Sequence, residues 1–175
     1  MTVIRVFPRH TSMTPTDNMV FVGWPPLERP EAAEVHLSCV FTWDMEKTRL
    51  LRHAWNQYYP IVKMGGPAFG SPVNGFTPGL YVKYGITFTS RGCNNRCDFC
   101  LVPEREGRIK PITNFTEGYI IQDNNFLQCP KDHRERVYAM LRQQKRAAVF
   151  SGGLQASLVT DAIVEELKSV RVSEV

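Results

Sequence analysis

The residues best suited to chemistry are three cysteines in one short stretch. Cys93, Cys97 and Cys100 fall within eight consecutive positions, in the spacing Cys-x3-Cys-x2-Cys. Residues 86–89, in which β-branched and aromatic side chains alternate with polar ones, predict a β-strand that leads into them. Soft thiolate ligands close together select zinc or iron–sulfur clusters. Three ligands leave one coordination position open, and catalytic metal sites keep such a position.

The spacing, with Phe99 directly before the third cysteine, resembles the motif of the radical S-adenosylmethionine (SAM) superfamily. The resemblance implies that Cys93, Cys97 and Cys100 hold three irons of a 4Fe-4S cluster, and that the amino and carboxylate groups of SAM chelate the fourth iron. An electron from the cluster cleaves SAM to a 5′-deoxyadenosyl radical, which abstracts hydrogen from a substrate. The protein holds and orients these cofactors. An electron donor such as flavodoxin or ferredoxin is the implied partner.

The same resemblance implies further contacts with SAM. Phe99 would cover the cluster side of the cofactor, and in the superfamily the backbone at this position contacts the adenine. The tip of the second barrel strand meets the SAM amino group, and Asp123, Asn124 and Asn125 follow the strand predicted at residues 118–122. A carboxylate and amides at the carboxyl end of a barrel strand suit an ammonium ligand. Asn124 departs from the family pattern, in which an acid is common.

Two other uses of the cysteines stay open. The first is a non-catalytic zinc-binding module with Cys129 or His133 as fourth ligand. Zinc sites usually combine one close pair of ligands with a second, distant pair, and no second pair is present. The second is a disulfide framework, against which the odd count of five cysteines argues. The spacing therefore favours an iron–sulfur cluster.

A methylthiotransferase is the alternative within the superfamily. Residues 92–95 and 101–103 resemble the corresponding segments of that class. Methylthiotransferases hold an auxiliary cluster with three further cysteines in the N-terminal half, where this chain has Cys39 alone. We therefore expect a radical SAM enzyme whose reaction and substrate the sequence does not specify.

The chain before the cysteines predicts a small parallel sheet. Residues 35–41 form a mostly apolar strand, Asp44 is placed to cap a helix beginning at Met45, and residues 61–64 form the next strand. A βαβ unit of this kind predicts parallel pairing. Two further strand-like stretches precede it: residues 3–7 and 19–23.

This part resembles the cobalamin-binding-type domain that precedes the radical core in one branch of the superfamily. The similarity lies in residues 37–39 and 64–68. The chain lacks the Asp-x-His-x-x-Gly motif whose histidine binds cobalt, so bound cobalamin is not expected. Turn-forming residues between 71 and 84 predict a crossover, with domains at 1–79 and 80–175.

The sequence pattern of residues 80–175 predicts a repeated strand–helix order. Helices are expected at residues 130–146 and after Thr160, with strands at 147–150 and from residue 171 onward. That gives about three βα units, where the barrel of the superfamily normally has six. The expected fold class is α/β: a small Rossmann-like βαβ domain followed by an incomplete (βα) radical-SAM partial barrel. On this reasoning we expect the chain to be the N-terminal part of a longer enzyme, with a dimer that completes the barrel as the alternative.

Composition narrows the environment. The chain has 43% hydrophobic and 22% charged residues, typical of globular proteins. Its net charge of +4, from 21 basic and 17 acidic residues, is too small to indicate nucleic acid as a partner. No apolar run reaches the length of a membrane span. Unpaired cysteines arranged as ligands favour a reducing, cytoplasmic compartment.

Overall fold

The computed structural model describes residues 2–70 and 77–175, which form two compact units. Unit 1 extends to Lys83, and unit 2 begins at Tyr84. Both are mixed α/β with parallel strands, which confirms the general α/β class. Part of the predicted crossover, residues 71–76, lies outside the described residues.

Unit 1 contains a four-stranded parallel sheet in the order β2-β1-β3-β4. Its strands are β1 (Val3–Phe7), β2 (Val20–Val22), β3 (Glu34–Ser38) and β4 (Val62–Gly65). Helix α1 (Met45–Asn56) connects β3 to β4. The predicted βαβ unit is therefore confirmed, with a strand β3 that ends three residues earlier than expected.

The core of unit 1 forms because alternate strand residues face one side of the sheet. Their partner is the apolar face of α1, on which Leu51 and Trp55 are fully buried. The buried strand residues are Ile4, Val6, Val35, Leu37 and Val62. The indole N–H of Trp55 donates to the Gly23 carbonyl (3.1 Å), so the largest core side chain has its polar atom satisfied.

Asp44 precedes α1 as predicted, but its role differs from the prediction. Its side chain makes no cap hydrogen bond. Both carboxylate oxygens instead accept from the Arg9 guanidinium, at 2.5 and 2.6 Å. The bidentate, charge-assisted pair with Arg9 outcompetes a single backbone N–H for this carboxylate.

Unit 2 contains a second parallel sheet, in the order β10-β9-β8-β5. Its strands are β5 (Ile86–Thr87), β8 (Ile120–Ile121), β9 (Ala148–Phe150) and β10 (Val172–Glu174). Helices α3 (Lys131–Gln143) and α4 (Asp161–Lys168) lie in the two later connections. A short helix, α2 (Val102–Arg105), and a two-stranded antiparallel pair, β6 (Ser90–Arg91) and β7 (Lys110–Pro111), lie in the first connection.

Successive parallel strands are neighbours in this sheet, as a repeated βα order predicts. Thr160 caps α4 as predicted, accepting from the Ile163 N–H (3.4 Å). The core lies between the sheet and the two long helices, and it includes Phe126, Tyr138, Leu141 and Phe150. In the part of the chain that the structure describes, no helix combines the length and apolar character needed to cross a membrane.

Candidate functional site

The three cysteines lie on a long loop whose two ends are joined. We call residues 92–109 the cysteine loop. The antiparallel pair β6–β7 closes its base, with Arg91 opposite Lys110. Just inside the base, the Cys93 N–H donates to the Gly107 carbonyl (3.1 Å). The loop therefore leaves and returns close to the carboxyl end of β5, the edge at which barrel folds place catalytic groups.

Gly92 makes the closure of this loop possible. Its φ is +79°, and a Cβ at this position would lie 2.2 Å from the Arg108 carbonyl oxygen. Its N–H donates to Glu106 Oε2 (3.0 Å). No other residue type combines this backbone angle with so close an approach.

Glu106 connects its own segment to two others at this edge, residues 91–92 and Asn124. No role for it is predicted from the sequence. Besides Gly92, it accepts from Asn124 Nδ2 (2.6 Å) and lies 3.7 Å from the Arg91 guanidinium. Burial lowers the pKa of Arg91, although the charges of Glu106 and Asp123 oppose that shift. A glutamate within a charged run usually lies in solvent, so only its distant partners reveal this role.

Asp123 lies at the carboxyl end of β8, as predicted, and is 2% exposed. Its carboxylate accepts from the Thr89 N–H (2.7 Å), the Thr89 hydroxyl (2.5 Å) and the Ser90 hydroxyl (2.7 Å). These bonds take Thr89 away from the strand predicted at residues 86–89, which is why β5 ends at Thr87. Asp123 therefore fixes the turn from β5 into β6.

The three thiols are free and have different surroundings. Cys93 and Cys100 are half-buried and Cys97 is exposed. Cys93 Sγ accepts from the Asn95 N–H (3.4 Å) and from Asn125 Nδ2 (3.6 Å). Within residues 2–70 and 77–175, no three His, Cys, Asp or Glu side chains are arranged to hold a metal ion.

Phe99 is 91% exposed. It lies between Cys97 and Cys100 on the outer part of the cysteine loop, and the protein itself covers little of its ring. An apolar ring this exposed is accessible to a bound molecule, and the contact of Phe99 with SAM stays a prediction.

Four carboxamide side chains meet beside Cys93, and we call them the amide cluster: Asn95, Asn125, Gln128 and Gln155. Gln155 Oε1 accepts from the other three, at 3.0 Å from Asn95, 2.7 Å from Asn125 and 3.0 Å from Gln128. Gln128 Oε1 also accepts from the Asn94 N–H (2.7 Å). Gln128 and Gln155 were missed from the sequence, because no local pattern marks them.

Among the residues predicted to contact SAM, Asn125 has a hydrogen-bond acceptor without a partner among the described residues. It is 5% exposed, and its Nδ2 donates to Cys93 and Gln155. Its Oδ1 is buried and has no hydrogen-bond partner among the described residues. Such an atom carries a desolvation cost unless a donor meets it.

The residues present fit an iron–sulfur cluster and an ammonium ligand in their chemistry. Three thiols on one loop are the usual ligands of a cluster, and N–H donors already reach the sulfur of Cys93. The Oδ1 of Asn125, whose Nδ2 is one of these donors, is an acceptor without a partner among the described residues. The predicted fourth zinc ligands fit less well. Cys129 is buried, which raises its pKa, and His133 is buried with its ring against Phe115.

In unit 1, the ring of His36 is already engaged. Its Nε2 lies 2.7 Å from Glu34 Oε2, and its Nδ1 lies 2.5 Å from the Tyr81 hydroxyl. Lys63 Nζ also contacts Glu34 Oε2 (2.6 Å). A histidine with both nitrogens in hydrogen bonds has no free lone pair for a metal, so His36 is unsuited to bind cobalt.

Compared with models of known families, with curated proteins and with solved structures, the chain matches none of them.

Proposed function

We propose that this chain acts as a radical SAM enzyme, with the site in unit 2. The observation that carries the proposal is that Asn125 Nδ2 donates to Cys93 Sγ (3.6 Å), while its own Oδ1 is buried and has no hydrogen-bond partner among the described residues. The three-cysteine spacing, which resembles the superfamily motif, supports the same function.

Cys93, Cys97 and Cys100 would hold the 4Fe-4S cluster, leaving one iron open to SAM. When bound, the cluster would supply the electron for the reductive cleavage of SAM. Asn125 Oδ1, which has no partner among the described residues, would accept a hydrogen bond from the SAM ammonium. Asp123 and Asn124 lie at the same edge, but both have partners within unit 2, so we assign them to holding this edge in place.

The topology of unit 2 also supports the proposal. The order β5, β8, β9, β10 places consecutive parallel strands side by side, which is the arrangement of a (βα) barrel segment. Unit 1 would be a small Rossmann-like domain. Methylation, methylthiolation and rearrangement all begin with the same cleavage of SAM, so the proposal covers this shared step.

The test is anaerobic reconstitution of the full chain with iron and sulfide, followed by SAM. We expect a broad absorption near roughly 400 nm from thiolate-bound clusters and a reduced EPR signal that changes when SAM is added. Cys93→Ala, Cys97→Ala and Cys100→Ala should each lose the cluster. Cys39→Ala, the same substitution in unit 1, should keep it.

A colourless protein that holds one tetrahedral zinc and ignores SAM would refute the proposal. In that case the cysteine loop would be a structural zinc module. A cluster whose EPR signal is unaffected by SAM would also contradict it, because the open iron would then not bind the cofactor.

A further inference from the structure

Gln155 is the central acceptor of the amide cluster. It lies after β9, whereas Asn95 lies in the cysteine loop and Asn125 and Gln128 follow β8. Its Oε1 accepts from all three of those side chains at 3.0 Å or less. Its own Nε2 donates to Ser157 Oγ (2.7 Å), which fixes the orientation of the amide and points its oxygen at the donors.

Two residues held by Gln155 are the ones that donate to Cys93. Asn125 Nδ2 is shared between Gln155 Oε1 (2.7 Å) and Cys93 Sγ (3.6 Å). Asn95 is held through its side chain, while its backbone N–H donates to the same sulfur (3.4 Å). Gln155 does not contact the sulfur itself, so any effect it has on Cys93 must pass through Asn95 and Asn125.

Hydrogen bonds to a ligating sulfur change the energetics of a bound cluster. They stabilise negative charge on the sulfur, and the reduced cluster carries one more negative charge than the oxidised one. They therefore favour the reduced state. Among the three cysteines, Cys93 is the one for which the described residues show N–H donors to Sγ.

We infer that Gln155 is a positioning residue: it holds Asn95 and Asn125 against Cys93, and so raises the reduction potential of the bound cluster. This inference rests on the proposed function, because it requires a 4Fe-4S cluster on Cys93, Cys97 and Cys100. Gln155 would then control how readily the bound cluster accepts its electron.

The test measures the midpoint potential of the reconstituted full chain, by EPR during anaerobic titration with dithionite, which supplies one electron per cluster. Gln155→Asn keeps the amide but withdraws its oxygen by one methylene. We expect the potential to shift to more negative values. Gln143→Asn is the matched control, because Gln143 is exposed at the end of α3, and it should leave the potential unchanged.

A double-variant cycle tests whether Gln155 acts through Asn125. Asn125→Leu should also lower the potential, and the Gln155→Asn, Asn125→Leu double variant should shift it by less than the sum of the two single shifts. Additive shifts would overturn the inference. So would a Gln155→Asn protein that loses stability in urea but keeps the wild-type potential, since that result describes a purely structural amide.

The possible failures are distinguishable. If the wild-type chain binds no cluster, the proposed function and this inference both fail. If wild type and Gln155→Asn both bind a SAM-responsive cluster with equal potentials, only the inference fails.

Discussion

At the residue scale, Gly92 determines whether the cysteine loop can close. Its positive φ and the nearby Arg108 carbonyl exclude a side chain, and its N–H binds Glu106. At the closed base the Cys93 N–H donates to the Gly107 carbonyl, and Cys93 Sγ accepts from Asn125 of the amide cluster. One backbone position therefore controls where the first proposed cluster ligand lies.

Gly92→Ala should destabilise unit 2 more than the same change at Gly153. Gly153 has a similar φ of +77°, but no described atom lies within 4 Å of its would-be Cβ. Backbone strain alone should cost about 1 kcal/mol at Gly153, whereas strain plus the clash should cost roughly 2–4 kcal/mol at Gly92. Urea unfolding of the metal-free chain, followed by far-UV circular dichroism, gives both values.

The chain offers an internal control for this comparison. All three tryptophans, Trp24, Trp43 and Trp55, belong to unit 1. Tryptophan fluorescence therefore follows unit 1, and its transition should not shift in either variant. Equal losses for Gly92→Ala and Gly153→Ala would show that the close approach to Arg108 has no energetic weight.

At the element scale, α3 carries two buried titratable side chains. Burial raises the pKa of Tyr138 to about 12 and lowers the pKa of His133 below its ordinary value of 6.5. Arg136 and Asp132 on α3, and Asp123 after β8, are the charges that act on His133. Only Arg136 reinforces the effect of burial, so the helix packs with a neutral imidazole.

Unit 2 should lose stability as pH falls below about 6.5. The unfolded chain then takes up a proton at His133 that the folded chain, with its lowered pKa, does not bind. The slope for one proton is at most about 1.4 kcal/mol per pH unit. Urea unfolding between pH 7.5 and 5 measures it, and His133→Leu should reduce the slope.

The matched control is His53→Leu, because His53 is exposed on α1 in unit 1. That change should leave the slope of the unit 2 transition as it is in the wild type. A His133→Leu protein with the full wild-type slope would show that other groups cause the acid sensitivity.

The two predicted helix caps show which features the sequence can predict. The capping role of Thr160 was correct because its partner, Ile163, lies three positions away. Asp44 has the same local pattern, yet its carboxylate binds Arg9, 35 positions away. Local spacing predicts where helices and strands begin. Where a side chain has more than one possible partner, the tertiary structure decides which of them it binds.

The residues of the candidate site also fall into those that a local pattern predicts and those that only tertiary contacts reveal. The cysteine spacing and the position of Asn125 after a strand are local patterns, and the sequence identified both. Gln155 meets Asn95 across 60 positions, and no pattern in either segment predicts the pair. Asp123 was correctly placed at the strand end, whereas its contacts with Thr89 and Ser90 depend on how β5 and β8 pair.

At the scale of the whole molecule, every residue proposed to bind the cluster or SAM belongs to unit 2. All three proposed cluster ligands lie on the cysteine loop, so a bound cluster would cross-link this loop. A ligand that binds only the folded state stabilises it. Stabilisation by the cluster should therefore appear first in the segments that it joins.

Hydrogen exchange followed by mass spectrometry should detect this difference within one chain. On anaerobic loading of the cluster, amides in the cysteine loop and in residues 120–128 should gain protection, because coordination cross-links the thiols of the loop and Asn125 donates to one of them, Cys93. Peptides of unit 1 should exchange at the same rate with and without the cluster. Cys97→Ala, which removes the exposed ligand, should abolish the gain. Equal protection of both units would show instead that the stabilisation extends beyond unit 2. Unchanged exchange in the cysteine loop would mean that the thiols are already in their binding geometry.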